Sequence, residues 1–180
     1  MYLLRLYAGN ALMLRDKRMK VIVINGPMGI GKTTAGTFIA DRYPGTAFID
    51  GDWCMDIHPF IGNEETRNMA ADNILHMIRN YRDCSVCKMA VVAWLMDDEQ
   101  ILEKLLNGIK EMDLDVKSVT LICDEAQLRK QWKEDTACPW RTEEWFKASL
   151  KSLDYFSSLD NCICTTSKSV ETVADLIMNS

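Results

Sequence analysis

Apolar positions along the chain follow two alternating rhythms. Continuous runs of aliphatic and β-branched residues at 21–24, 46–49, 89–96, 118–123 and 161–165 read as five strands, since strands buried on both faces have no polar alternation. Between them the apolar residues recur at three-and-four spacing. Residues 64–82 put Ala70, Ala71, Ile74, Leu75 and Ile78 on one helical face, and 99–109 do the same with Ile101, Leu102, Leu105, Leu106 and Ile109. Residues 34–42 hold good helix formers and no proline, and Tyr43-Pro44-Gly45 stops them. A polar, basic helix is predicted over 126–135 and another from Thr142, a suitable N-cap followed by two glutamates. Ser169 caps a last helix through Val170, Val173, Ala174 and Ile177. Strands alternating with helices predict an α/β class with a parallel sheet covered on both faces.

The first strand runs into Gly26-Pro27-Met28-Gly29-Ile30-Gly31-Lys32-Thr33, followed by Thr34 at the start of a helix. This is a complete G-x-x-x-x-G-K-[ST] phosphate-binding loop in the strand–loop–helix setting it requires. Its backbone N–H groups converge on a polyphosphate without side chains in the way, and Gly26, Gly29 and Gly31 permit the conformations this needs. The helix N-terminus adds donors and a favourable dipole. Lys32 is expected on the β- and γ-phosphates and the Thr33 hydroxyl on Mg²⁺.

Composition narrows the setting. The chain has 180 residues, 48% of them apolar, enough for one globular domain with a substantial core. Its net charge of −5 argues against a nucleic-acid surface, and no apolar run approaches the ~20 residues of a membrane span. The seven cysteines are expected as free thiols in a cytoplasmic nucleotide-binding enzyme. Cys84 and Cys87 have the spacing of half a zinc site, but Cys162 and Cys164 have one residue between them and supply no second half; in a strand they share a face. Residues 1–18 are apolar and basic, with Arg5 interrupting any signal-like core. Two readings stand: Met19 is the natural start of a domain spanning 19–180, or the segment is a short surface helix.

The second strand ends in Asp50-Gly51-Asp52-Trp53, which puts two carboxylates at the edge of a parallel sheet where ligands bind. Phe48-x-Asp50-x-Asp52 after GPMGIGKTT resembles the second-strand motif of shikimate kinase, and the DGD form is similar to adenylylsulfate kinase and gluconate kinase. The resemblance is to the P-loop kinases that phosphorylate small molecules. It implies a three-layer P-loop NTPase fold, strand order 2-3-1-4-5, ATP and Mg²⁺ as cofactors and a small-molecule acceptor. It implies that Asp50 stands on the metal side, indirectly, and that Asp52 meets the accepting hydroxyl. The glycine triplet for shikimate after the third strand is absent, which argues against shikimate itself.

By the same resemblance the segment 53–88 covers the acceptor, with Trp53, His58, Arg67, Arg79 and Arg82 as candidates to line it. A helical lid at 125–145 brings arginines to the transferring phosphate, with Arg129 and Arg141 as catalytic candidates and Lys130 and Lys133 behind them. Gln131 stands where the lid pattern usually has an arginine, a departure that bears on Arg129. Thr166, Ser167 and Lys168 occupy the loop expected beside adenine. Asp97 and Asp98 after the third strand fit either a Walker B carboxylate or the N-cap of the following helix. The expected activity is ATP-dependent phosphoryl transfer to a small hydroxyl or phosphate acceptor, by a monomer or homodimer. A nucleotide-dependent switch without an acceptor is the alternative, and a resistance or toxin kinase shares every motif.

Overall fold

The computed structural model of the chain describes residues 18–136, 138 and 141–180. The two readings of residues 1–18 therefore fall outside the described residues, Arg18 excepted. Five strands form one parallel sheet: β1 (Lys20–Asn25), β2 (Thr46–Asp50), β3 (Met89–Ala93), β4 (Asp115–Ile122) and β5 (Cys162–Cys164), in the order β2-β3-β1-β4-β5. Six helices connect and follow them: α1 (Lys32–Arg42), α2 (Glu64–Asp83), α3 (Glu99–Glu111), α4 (Glu125–Glu134), α5 (Glu143–Ser157) and α6 (Val170–Asn179). A 3₁₀ turn at Asp52–Met55 follows β2.

The alternation of side chains along β1 explains the layers. Val21 and Val23 face one way, into a core with Ile49, Val92 and the apolar stripes of α2 and α3. Ile22 and Ile24 face the other way, against Ala35 and Ile39 of α1 and Val173, Ala174 and Ile177 of α6. All four β1 residues are fully buried, as a central strand between two helical layers must be. A third, small core of Leu128, Phe146 and Leu153 joins α4 to α5.

The boundaries move where partners decide them. The third strand stops at Ala93, opposite the last residue of β2, where that neighbour ends. The fourth begins three residues earlier than predicted, since Asp115 pairs with Lys20 at the start of β1. β5 keeps only Cys162–Cys164, with Ile163 inward and both cysteines on the outer face. Asp98, Asp124 and Ser169 cap their helices through side-chain oxygens. Thr142 occupies the N-cap position of α5, but its hydroxyl makes no cap bond. Asn63 and Thr66 form a reciprocal capping box on α2 that the sequence reading had not singled out.

Candidate phosphate-binding and acceptor site

The site begins with an interior polar residue. Asn25, the last residue of β1, is fully buried. Its Oδ1 accepts from Gly26 N (2.8 Å) and Met96 N (2.9 Å), while Nδ2 donates to Met96 O (3.0 Å). One amide thereby ties the first bend of the loop to the chain leaving β3, satisfying groups that no strand partner reaches.

The loop then turns through Gly26, Gly29 and Gly31, all at positive φ. Gly29 carries a second constraint, because a Cβ there would stand 2.8 Å from the Trp132 ring of α4. Pro27 and Ile30 are buried and Met28 is half-buried. Met28 O accepts from the Ser149 hydroxyl of α5 at 2.7 Å. The two helices between β4 and β5 thus rest directly on the phosphate loop. Trp132 meets Phe146 edge-on at 5.5 Å between centroids, and the Arg141 guanidinium lies 5.4 Å from the Trp132 ring centre.

Lys32 opens α1, and its Nζ donates to Gly26 O and Pro27 O at 2.9 Å each, curling over the loop. Loss of solvent around the ammonium pulls it down to about 8. The charges of Asp52 and Asp50 work against that fall, and Arg141 adds to it. An ammonium held this way gains from a polyanion.

Thr33 Oγ1 donates to Asp50 Oδ2 at 2.9 Å, and Asp50 Oδ1 accepts from Asp52 N at 3.1 Å. The DGD turn is seated by Gly51, whose N donates to Ala93 O at 2.9 Å and whose Cα lies so close to Trp94 that a Cβ would fall 2.1 Å from the indole. The Asp52 carboxyl is pushed above the ordinary range by desolvation and then by Asp50, with Lys32 and Arg141 pulling the other way. A hydroxyl and a carboxylate in contact are hard oxygen donors, the kind Mg²⁺ takes alongside substrate phosphates and waters. The residues present therefore fit a magnesium–nucleotide pair.

An open cleft of about 110 Å³ adjoins the loop, lined by Gly31, Thr34, Gln131, Thr165, Lys168 and Val170 among others. It brings the residue after the loop lysine and threonine together with the segment after β5. The Gln131 Oε1 is buried there without a hydrogen-bond partner among the described residues.

The remaining candidates divide. Arg141 is near enough for its charge to act on both Lys32 and Asp52, and it pairs with Asp135. Arg129 faces Glu125 (3.2 Å) and Glu143 (3.6 Å) and stacks over Phe146 at 4.3 Å. Lys130 pairs with Glu134. Asp98 caps α3, and Asp97 binds Arg67 at 2.7 Å. Arg79 and Arg82 do not line the acceptor side. They lie in the last two turns of α2, roughly 22 and 27 Å along it from Glu64, and the chain that follows bonds to Gly45 at the opposite edge of the sheet. Asn25, Trp94, Trp132 and Ser149 were not singled out from sequence. A polar residue closing an aliphatic run, as Asn25 does, is the one signal that pointed to any of them. Cys84 is exposed and Cys87 half-buried, and among the described residues no group of three or more His, Cys, Asp or Glu side chains gathers as a metal site. No described helix is long and apolar enough to cross a membrane.

Sheet order, loop and flanking layers define a P-loop NTPase α/β fold. Solved structures agree. The tunicamycin resistance protein of Deinococcus radiodurans superposes with a TM-score of 0.63 at 22% identity, over 89% of this chain and 94% of that one. A gluconokinase from Sinorhizobium meliloti gives 0.64 at 15% identity, over 91% of each chain. The Mycobacterium tuberculosis APS kinase, seen with AMPPNP and APS, gives 0.60 at 11% identity, over 90% and 96%. No protein-family model matches the chain, and no curated protein matches it in sequence.

Proposed function

We propose that the chain is an ATP-dependent phosphotransferase acting on a small molecule with a hydroxyl or phosphate acceptor. The observation that carries this reading is the chain of contacts from the Thr33 hydroxyl to the Asp50 carboxylate (2.9 Å) and from the Asp52 N–H to the same carboxylate (3.1 Å), which joins the phosphate loop to the turn that carries Asp52. A nucleotide switch has no use for Asp52 in that place.

The loop amides and Lys32 bind and orient the β- and γ-phosphates, and Lys32 offsets charge that develops on them. The cleft beside Thr34 and Lys168 takes the nucleoside. Thr33, and Asp50 indirectly, would hold Mg²⁺, which would supply charge neutralisation for the phosphates. Asp52 orients the acceptor and takes its proton as the acceptor oxygen bonds to the γ-phosphorus and the bond to the β-phosphate oxygen breaks, releasing ADP. Its contribution is positioning more than basicity, because the transition state is loose. α4 and α5 act as the lid. Arg141 completes the charge clamp, Arg129 assists when released from its glutamates, and Trp132 and Ser149 keep the lid on the loop and water out.

The test is Asp52→Asn beside the parent protein. ATP affinity by calorimetry is expected to survive, while acceptor-stimulated turnover falls ~10²-fold or more. Full transfer by the variant, or no stimulation of the parent by any compound in a broad panel, overturns the reading.

A further inference from the structure

Gln131 lines the cleft beside the phosphate loop, together with Gly31 and Thr34 at the end of that loop and Thr165 and Lys168 after β5. Its Oε1 is buried and has no hydrogen-bond partner among the described residues. A buried amide oxygen left unpaired is costly, and such atoms are few in native folds. Thr165, in the same cleft wall, already commits its hydroxyl to Ile122 O at 3.2 Å.

Contacts on both sides of α4 place the amide there. Asp124 N, at the N-cap, donates to Thr166 Oγ1 at 3.0 Å, and Gln127 Oε1 accepts from Ser167 N at 3.5 Å. Gln131 stands one turn beyond Gln127 on the same face of the helix, so it continues the line of contacts with the segment after β5. The next residue, Trp132, sits over Gly29, where a Cβ would come within 2.8 Å of the ring. The Gln131 side chain is thus held between that segment and the phosphate loop. Ile30, Ala35, Val170 and Val173 also line the cleft. Apolar walls with a polar group among them suit a flat base, the walls taking its faces and the polar group fixing its edge.

Resting on the ATP-dependent reading, we propose that Gln131 selects the nucleobase: its Oε1 accepts a hydrogen bond from the exocyclic amino group of adenine while the phosphates occupy the loop. A base with an oxygen at that place sets one acceptor against another and leaves both unpaired. The acceptor left open in the free protein is satisfied by the nucleotide it recognises.

The test is calorimetric binding of ATP, ITP and GTP to the full chain with Mg²⁺, and it needs no acceptor. ITP and GTP carry an oxygen where ATP carries its amino group. The parent is expected to bind ATP at least about tenfold more tightly than either. Gln131→Met fills a similar space without the amide. It should weaken ATP to the level of ITP, while the ITP Kd moves less than about threefold, and its urea midpoint should equal or exceed the parent's because an unpaired buried acceptor is gone. A packing role alone would lower the midpoint and leave the ATP-to-ITP ratio unchanged. Equal affinity of the parent for ATP and ITP, tighter binding of ITP or GTP, or an unchanged ratio in the variant overturns the role of Gln131 and leaves phosphotransfer standing. No measurable binding of any of the three nucleotides removes both.

Discussion

The Thr33 hydroxyl donates to the Asp50 carboxylate across 2.9 Å, linking residues 17 positions apart at the ends of β2 and of the phosphate loop. Each of Asp50's oxygens has a separate partner, Thr33 on one and the Asp52 amide on the other. Asp50 therefore holds both the Thr33 hydroxyl and the turn that begins at Asp52.

Asp50→Asn should weaken both functions unequally. Losing the carboxylate that orients a metal ligand typically costs 10- to 100-fold in metal affinity. The Mg²⁺ concentration for half-maximal turnover should rise about tenfold or more, with a smaller rise in ATP KM at saturating Mg²⁺. A magnesium titration of parent and variant reads this directly, and an unchanged requirement removes Asp50 from the metal side.

Lys32 predicts a proton uptake. In the free protein its ammonium is lowered to about 8, by desolvation first, and bound phosphates favour the charged form. Below that value the group is already charged and ATP binds without taking up a proton at Lys32. Above it, binding must be accompanied by protonation, so affinity falls as pH rises. Calorimetry at pH 8.5 in two buffers of different ionisation heat should show uptake that is absent in Lys32→Ala. Lys32→Ala should also lose most ATP affinity and all measurable transfer.

Asn25 is predicted to be structural first. Asn25→Ala strands Gly26 N and both polar backbone groups of Met96 in a fully buried place. Leaving such groups unpaired costs about 1–3 kcal/mol each before relaxation. Urea unfolding should show a loss of at least ~2 kcal/mol; a midpoint equal to the parent's would show that the amide bridge is dispensable.

The thiols should separate by reactivity. Cys164 is exposed, and its thiol is lowered by hydrogen bonds to Thr166. Cys123 is half-buried and pushed up to about 11, chiefly by burial and then by Asp124. Because the thiolate is the nucleophile, limited iodoacetamide treatment of the folded protein at pH 8 should label Cys164 well before Cys123. Peptide mapping decides it, and equal labelling contradicts the local environments described.

Much of this protein is determined by short-range pattern. The five apolar runs, the helical stripe of Ile101, Leu105 and Ile109, and the loop from Gly26 to Thr33 are legible because burial period and turn chemistry act within a few residues. The caps at Asp98 and Ser169 are local for the same reason. The DGD carboxylates were legible as a pair, since two-residue spacing after a strand places them at its C-terminal edge.

Tertiary structure alone decided which distant groups share that edge. Strand order came from family resemblance, because hydrophobic runs carry no record of their neighbours. Arg67, Arg79 and Arg82 looked equivalent along one helix, yet the direction of α2 carries the last two to the far edge while Arg67 meets Asp97, 30 positions away. Trp132 against Gly29 and Ser149 on Met28 depend on how two helices fold back over the loop. Asn25 needed Met96, 71 positions on, before its burial made sense. Sequence spacing sets what a residue can do locally; only the sheet's closure sets what it meets.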